Sequence, residues 1–368
     1  MRVRRIAMIS PLFESVPPRL YGGTERVIFN LCRGLTKAGC EVTLFASADS
    51  AVPDVELVPV IDEALRLRKK PLVDPDAYNF KMLASVARRA KHFDVIHNHH
   101  DYWMLPLDRM VQTPMVTTIH GKLSGPDAHA AFGGFADSHF VTISDAQREP
   151  LPYLRYIRTI HHGLDLTHLR FHPEPGKYLA FLGRIGPDKR PEWAIEIAKK
   201  AGIPLKIAAK IEGEYGQAYY DRHVKPHVDG KTVEFVGEID DERKSSFLGG
   251  AYALVFPIDW PEPFGLVVIE SLACGTPVLC RPCGSVPEIT RDGVTGFMDL
   301  SIEGLAKKAA QVSSIDRVGC RRWVEEKFSL KRMTEDYIHV YEQLAERSVD
   351  RGRRDFLYPV ERTAHGHS

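Results

Sequence analysis

The sequence lacks long hydrophobic runs and a charge imbalance. No apolar segment reaches the roughly 20 residues that cross a bilayer, so we expect no membrane span. The 49 basic and 48 acidic residues give a formal net charge of +1. That balance argues against a nucleic-acid partner and against bulk attraction to an anionic membrane. Local basic clusters, such as residues 66–70, leave docking on a membrane surface open without indicating it.

The six cysteines lack the spacing of a disulfide framework. They are scattered among apolar neighbours, and the C-x-x-C pair of Cys280 and Cys283 has no second pair to complete a zinc site. The chain starts with basic and then apolar residues, but the apolar part is too short for a signal peptide and no cleavage site follows. We interpret this start as a β-strand and expect reduced thiols in a cytoplasmic protein.

Short apolar strands alternate with amphipathic helices in both halves of the 368-residue chain. This alternation predicts βαβ units, parallel sheets and an α/β fold. Residues 48–72 show no clear pattern. The predicted units are a first domain at 1–165, a second domain at 166–329, a closing helix at 330–347 and a charged tail at 348–368 that we interpret as mobile.

One stretch combines a strand, a proline-rich turn and an apolar helix. Glu262 lies in the turn, Gly265 frees the backbone before the helix, and Glu270 lies one helical turn further on. The unpaired N–H groups at a helix N-terminus suit an anion. Carboxylates are acceptors for vicinal hydroxyls. The stretch therefore predicts a cradle for a sugar that carries a phosphate; the alternative is an ordinary buried turn with surface carboxylates.

A second loop carries two cations, Arg184 and Lys189, between a strand that ends in glycine and a helix opened by Pro191. Arginine offers a planar fork and lysine a point charge, which together suit a diphosphate leaving group. The alternative is a pair of surface ion pairs with Asp188 or Glu192.

The first half carries weaker signals. Gly22 and Gly23 precede a helix, but they do not form the G-x-G-x-x-G fingerprint, which argues against an NAD-dependent oxidoreductase. His120 closes an apolar strand and is either a structural residue or a ligand contact. The cluster of residues 97–101 suggests a metal site, but alternate histidines on one strand do not supply three convergent ligands. We therefore expect no metal there, and expect His97 and Asp101 to line an acceptor pocket.

The chain resembles family 4 glycosyltransferases of the GT-B fold. Glu262 and Glu270 are separated by seven residues that include Pro-Phe-Gly and followed by Ala-Cys-Gly-Thr-Pro-Val, which is similar to that family's signature. The loop with Arg184 and Lys189 is similar to the family's Gly-Arg…Lys-Gly loop, except that Arg190 stands where glycine is usual. Further matches at 142–145, 162–165 and 284–297 extend the resemblance to about residue 345.

This resemblance implies two Rossmann-like, doubly wound parallel-sheet domains facing a central cleft. The first would bind the acceptor, the second a nucleotide sugar, and the closing helix would return to the first domain. The implied reaction moves a hexose from a UDP- or GDP-linked sugar to a hydroxyl acceptor with retention of configuration. It needs no cofactor and no metal. The alternatives are a sugar phosphorylase, a nucleotide-sugar epimerase or a non-catalytic nucleotide-sugar-binding protein.

The resemblance also implies roles for particular residues. Catalysis would involve His120, which contacts the sugar, together with Arg184, Lys189 and Glu262. Donor binding would use these two cations with Gly22, Gly23, Glu238, Ile239, Glu262, Phe264, Gly265, Leu266 and Glu270. Within this set, the two glycines would face the phosphates, Glu238 and Ile239 the base, and Glu270 the ribose.

Overall fold

Two parallel sheets form the structure, a computed structural model that describes residues 3–19, 22–68 and 74–357. The first sheet has seven strands in the order β3-β2-β1-β4-β5-β6-β7. Its strands are Arg5–Ile9 (β1), Glu41–Ser47 (β2), Glu56–Ile61 (β3), Val95–Asn98 (β4), Met115–Thr118 (β5), Phe140–Thr142 (β6) and Tyr156–Thr159 (β7).

The second sheet has six strands in the order β10-β9-β8-β11-β12-β13. They are Leu179–Arg184 (β8), Leu205–Lys210 (β9), Val233–Gly237 (β10), Ala253–Phe256 (β11), Val278–Cys280 (β12) and Gly296–Met298 (β13). The described strand pairs in both sheets are parallel. The prediction of two doubly wound α/β units is confirmed.

Helices cover both faces of each sheet. In the first half they are Gly23–Lys37 (α1), Asp76–Arg89 (α2), Leu107–Met110 (α3) and Pro126–Gly133 (α4). In the second half they are Pro191–Ala201 (α5), Gly213–His223 (α6), Asp241–Gly249 (α7), Leu266–Ala273 (α8), Val286–Ile289 (α9), Ile302–Ala309 (α10), Arg317–Lys327 (α11) and Leu330–Leu357 (α12). No described helix is long and apolar enough to cross a membrane.

Strand order reverses once in each sheet, and these reversals determine where a ligand can bind. In the first sheet the chain goes outward from β1 to β3 and then returns to place β4 on the other side of β1. In the second sheet the same change occurs between β8 and β11. Crossover helices diverge at such a point and leave a crevice at the carboxyl ends of the strands.

Three strands were not predicted. Strand β3 lies in the region without a clear pattern, where Pro59 interrupts the alternation. Strand β7 is an edge strand whose side chains are partly exposed, so its sequence does not read as a buried apolar run. Strand β13 has three residues, pairs with β12 and forms the edge of the second sheet that lies opposite β10.

Helix α12 packs onto the first domain although it follows the second in sequence. Tyr337 and Tyr341 are fully buried and belong to the same apolar cluster as Ile6 and Leu31 of the first domain. The helix continues beyond the expected end at residue 347 and reaches Leu357, so the first part of the expected tail is helical. Residues 358–368 lie outside the described residues.

A glycine allows α1 and α12 to approach closely. A Cβ atom at Gly34 would lie 2.0 Å from Thr334 Oγ1 and 3.2 Å from Thr334 Cβ. Both distances are shorter than ordinary van der Waals contact, so even a methyl group at this position would push the helices apart.

We expect Gly34→Ala to lower the melting temperature of the protein. Alanine favours helix by about 1 kcal/mol over glycine, but overpacking of a core typically costs about 1–3 kcal/mol. Thermal unfolding of Gly34→Ala, Thr334→Ala and the double variant forms a mutant cycle. The loss from Gly34→Ala should shrink in the Thr334→Ala background, where the Oγ1 clash is gone. A higher melting temperature for Gly34→Ala alone would contradict the close contact.

Candidate active site

A cavity of about 580 Å³ lies between the two domains. It is bounded by the loops that follow β1, β4 and β5 in the first domain and β8, β10 and β11 in the second. The crevices at both strand-order reversals therefore open into this cavity. The predicted site residues that line it are Gly22, Gly23, Asp101, His120, Arg184, Lys189, Glu238, Ile239, Glu262, Phe264, Gly265, Leu266 and Glu270.

The two predicted cations face this cavity and are also paired with carboxylates. Arg184 lies 3.0 Å from Asp188 and 3.7 Å from Glu212. Lys189 Nζ lies 2.5 Å from Glu262 Oε2 and 4.8 Å from the centre of the Trp260 ring. The alternative of an ion pair with Asp188 is present for Arg184, whereas Lys189 pairs with Glu262. The carboxylate partners line the same cavity, and the diphosphate role of the two cations stays a prediction.

Arg190 adopts the backbone conformation that glycine would favour at its position. It caps α5 with φ 51° and ψ 52°, in the left-handed region, which costs a non-glycine residue roughly 1 kcal/mol. Its guanidinium lies 2.8 Å from Asp259 and 4.5 Å from the centre of the Trp193 ring. The arginine therefore keeps the loop conformation and anchors it by contacts that glycine does not make.

The turn before α8 is held by hydrogen bonds to two of its backbone carbonyls. Gly265 has φ 89° and ψ 58°, a left-handed conformation that favours glycine at the helix start. Ser285 donates from its N–H to the Glu262 carbonyl at 3.0 Å and from Oγ to the Phe264 carbonyl at 2.7 Å. Ser285 thus fixes the turn that presents Glu262.

Glu270 is buried and pairs with a lysine that the sequence did not single out. Lys244 Nζ lies 2.7 Å from Glu270 and 3.2 Å from Asp241. Asp241 also pairs with Arg26 of the first domain at 2.5 Å, so this group crosses the cleft. Lys244 follows no motif, and only the packing of α7 against α8 brings it here.

The N-terminus of α1 forms part of the first-domain wall. A Cβ at Gly23 would lie 3.7 Å from Leu266 Cδ1, so the two domains nearly touch at this point. Glu25, in the first turn of α1, is buried, and burial raises its pKa to about 7. Glu25 was not predicted as a site residue, although it directly follows the Gly-Gly-Thr segment.

Further ion pairs that the sequence did not predict cross the cleft. Arg66 lies 3.1 Å from Glu14 in its own domain and 3.4 Å from Glu212 in the second. Lys210 lies 3.8 Å from Glu14. The two partners of each pair lie far apart in sequence and share no motif.

His120 and Asp101 lie together on the first-domain side. Burial lowers the pKa of His120 to about 3, so its ring is neutral at physiological pH. The backbone N–H of His120 bonds to the Asp101 carboxylate, and burial raises the pKa of Asp101 to about 6. Asp101 has φ 42°, and its Oδ1 has no hydrogen-bond partner among the described residues. Because Oδ1 is itself buried, the carboxyl keeps one unused acceptor position just beneath the cavity wall that Asp101 lines.

His97 does not line the cavity, so the expected acceptor contact does not fit the structure. The residue is fully buried on β4. Its Nδ1 lies 2.7 Å from Tyr341 Oη and its Nε2 2.7 Å from Thr118 Oγ1, so both nitrogens are used within the protein. The sequence near His97 gives no sign of this environment, because its partner Tyr341 on α12 lies 244 residues away in the chain.

The described residues contain no group of three or more histidine, cysteine or acidic side chains arranged to hold a metal ion. The metal-free reaction stays a prediction.

Family models match both halves of the chain. Residues 21–168 match the model described as glycosyltransferase family 4, and residues 170–323 the model described as glycosyl transferases group 1. Among curated relatives, D-inositol 3-phosphate glycosyltransferase of Mycobacterium marinum is 27% identical over 353 residues, which cover 80% of this chain and 74% of the relative.

Solved structures show the same architecture. Sucrose-phosphate synthase from Thermosynechococcus elongatus has a TM-score of 0.76 at 19% identity and covers 93% of this chain and 99% of its own. Anabaena HepE in complex with UDP-glucose has a TM-score of 0.71 at 17% identity, with coverage of 92% and 100%. At such identities the likeness shows the fold. From the two matched models, the named relatives and the paired parallel sheets, we conclude that the chain is a glycosyltransferase that belongs to family 4 and has the GT-B fold.

Proposed function

We propose that this glycosyltransferase moves a hexose from a UDP- or GDP-linked sugar to a hydroxyl acceptor with retention of configuration. The observation that carries the proposal is the convergence of two cations and two carboxylates in one cavity that His120 enters from the other domain. The structure of a relative by fold in complex with UDP-glucose supports the donor class.

The cations at the end of β8 are suited to the leaving diphosphate. Arg184 presents a planar fork beside the cavity, and Lys189 presents a point charge beside Glu262. Charge develops on the diphosphate oxygens as the bond to the sugar breaks. Cations already held in place stabilise that charge without reorganisation in the transition state.

The carboxylates are suited to holding hydroxyl groups. Glu262 Oε2 accepts from Lys189 and, at 2.8 Å, from Trp260 Nε1, which leaves Oε1 for a sugar hydroxyl. Glu270 Oε1 accepts from Lys244, which leaves its other oxygen for the ribose. In this proposal, Glu238 and Ile239 contact the base at the wall they form after β10.

The first domain supplies the acceptor side. Asp101 accepts from a hydroxyl of the acceptor other than the one that attacks, and His120 contacts the hexose. Glu262 is engaged by two donors and serves in positioning rather than as a nucleophile. We therefore propose a front-face displacement in which the departing diphosphate takes the acceptor proton, instead of the double displacement of retaining glycosidases.

Removal of either cation should reduce turnover more than it weakens donor binding. We expect Arg184→Ala and Lys189→Ala each to lower kcat by about 10²–10³-fold, as for other preorganised groups that stabilise developing charge. The measurement is release of nucleoside diphosphate from the preferred nucleotide sugar with acceptor present. Lys199→Ala, an exposed change on α5, is the matched control and should keep normal kcat.

Product analysis with labelled donor separates this reaction from the alternatives. A phosphorylase requires free phosphate, an epimerase returns a changed nucleotide sugar, and a non-catalytic binder releases nothing. Near-normal turnover in both Arg184→Ala and Lys189→Ala would contradict the assigned leaving-group role.

Nucleotide binding should not require a divalent metal, because protein cations already face the diphosphate position. We expect UDP or GDP to raise the melting temperature in the presence of EDTA, in a screen that also includes ADP. A rise seen only after Mg²⁺ or Mn²⁺ is added would contradict the metal-free proposal.

Affinity for the nucleotide sugar should fall as the pH rises through about 7. Burial raises the pKa of Glu25 to about 7, so this carboxyl is neutral below that pH and adds a negative charge to the cavity wall above it. That charge repels the diphosphate. Titration calorimetry between pH 6 and 8 measures the effect, and Glu25→Gln, which stays neutral, should flatten it. An unchanged pH dependence in Glu25→Gln would contradict this assignment.

A further inference from the structure

Buried polar side chains connect α12 to His120 through the first domain. Tyr341 Oη lies 2.7 Å from His97 Nδ1, and His97 Nδ1 lies 3.2 Å from His99 Nε2. His99 Nδ1 lies 2.7 Å from His120 Nε2. The contacts form one continuous chain from the closing helix to a residue of the cavity wall.

The chain has a branch at His97. His97 Nε2 lies 2.7 Å from Thr118 Oγ1, and Thr118 Oγ1 lies 3.0 Å from Tyr337 Oη. Tyr337, Tyr341 and Thr118 are fully buried, as is His97, and His99 is 1% exposed. Polar groups at such depth depend on one another for hydrogen bonds, since each unsatisfied donor costs free energy.

The imidazoles in this chain are neutral. Burial lowers the pKa of His97 and His99 well below the usual value and that of His120 to about 3. A neutral imidazole has one N–H donor and one bare acceptor nitrogen. Whether one ring nitrogen is a donor or an acceptor therefore determines which nitrogen of the next hydrogen-bonded ring carries the proton.

The Tyr341 hydroxyl sets the direction in which hydrogen bonds are donated along this series of side chains. Its hydroxyl has no hydrogen-bond partner other than His97 Nδ1 among the described residues. If Nδ1 carried the proton, the phenol hydrogen of Tyr341 would be left without an acceptor. A phenol is a stronger donor than an aliphatic hydroxyl and imidazole is a good acceptor. If Nδ1 is bare, the hydrogen without an acceptor is instead that of the Thr118 hydroxyl. This arrangement loses less free energy than one that leaves the phenol hydrogen of Tyr341 without an acceptor.

The remaining assignments follow in order. With Nδ1 bare, His97 donates from Nε2 to Thr118. The single lone pair of Nδ1 is shared in a three-centre hydrogen bond, in which the Tyr341 hydroxyl at 2.7 Å is the shorter arm and Nε2–H of His99 at 3.2 Å is the longer one. His99 Nδ1 is then bare and accepts from Nε2–H of His120. The last ring keeps a bare Nδ1.

We propose that Tyr341 is a positioning residue that fixes His120 in the tautomer protonated on Nε2, so that Nδ1 is an acceptor for a substrate hydroxyl. His162 stacks on the His120 ring with centroids 5.4 Å apart and planes at 18°, which holds the ring's orientation. A sugar hydroxyl donates to His120 and keeps its own oxygen free to accept elsewhere. The role in turnover rests on the proposed function, but the tautomer does not.

Two isosteric variants one helical turn apart provide the test. Tyr341→Phe removes the donor to His97, so Thr118 can donate to His97 Nε2. The proton of each histidine ring in this series can then move to the other ring nitrogen. Tyr337→Phe removes an equally buried hydroxyl but leaves the donor to His97 in place. Long-range ¹H–¹⁵N correlation spectra of the histidines in the free protein report which ring nitrogen carries the proton. The His120 signals are assigned by their loss in His120→Gln.

We expect His120 protonated on Nε2 in the unchanged protein and in Tyr337→Phe, and on Nδ1 in Tyr341→Phe. With the nucleotide sugar that is turned over, kcat should fall about tenfold in Tyr341→Phe and stay near normal in Tyr337→Phe. A proton on Nδ1 in the unchanged protein, or an unaltered tautomer in Tyr341→Phe, would overturn the proposal. If no nucleotide sugar is turned over, the proposed function fails, and the spectra still decide the tautomer.

Discussion

Charge compensation inside the cleft is the constraint on which the site depends. Removal of an ion from water costs several kcal/mol unless a partner is close, and the acids proposed to hold hydroxyl groups are themselves paired with lysines. Glu262 pairs with Lys189 and Glu270 with Lys244, both with little solvent exposure. In the proposed reaction, an anionic diphosphate enters a site where each cation is already held by a carboxylate. The carboxylates keep the cations in position, and their remaining oxygens stay available for hydroxyl groups.

The ion pairs that cross the cleft differ in character from these buried pairs. Arg66 with Glu212 and Arg26 with Asp241 join the two domains, but their side chains are 20–43% exposed. Exposed pairs contribute about 0–1 kcal/mol each, so they favour one arrangement of the domains without locking it. Closure of the domains around a donor is therefore compatible with these contacts, and each domain must supply part of the site for such closure to matter.

The fold and much of the cavity wall were predictable because they depend on local sequence signals. Alternating apolar strands and helices predict parallel sheets, and the carboxyl ends of those strands carry the motifs that meet in the cleft. Residues such as Lys244 and Glu212 were not predictable, since packing between distant segments brings them to the cavity. Arg190 shows an intermediate case. Its departure from the family's glycine is visible in the sequence, but only the backbone angles show that the turn is retained.

His97 shows most clearly why a motif cannot assign a role by itself. Its sequence neighbours suggested a cavity residue, whereas its environment is set by Tyr341 on a helix that crosses from the second domain. That helix packs as part of the first domain, so the chain from Tyr341 to His120 stays within one packed unit when the domains move. Phe264 of the second domain instead meets His162 edge-on with ring centroids 4.7 Å apart. Domain motion should therefore alter the packing behind His162 while leaving the hydrogen-bond direction at His120 unchanged.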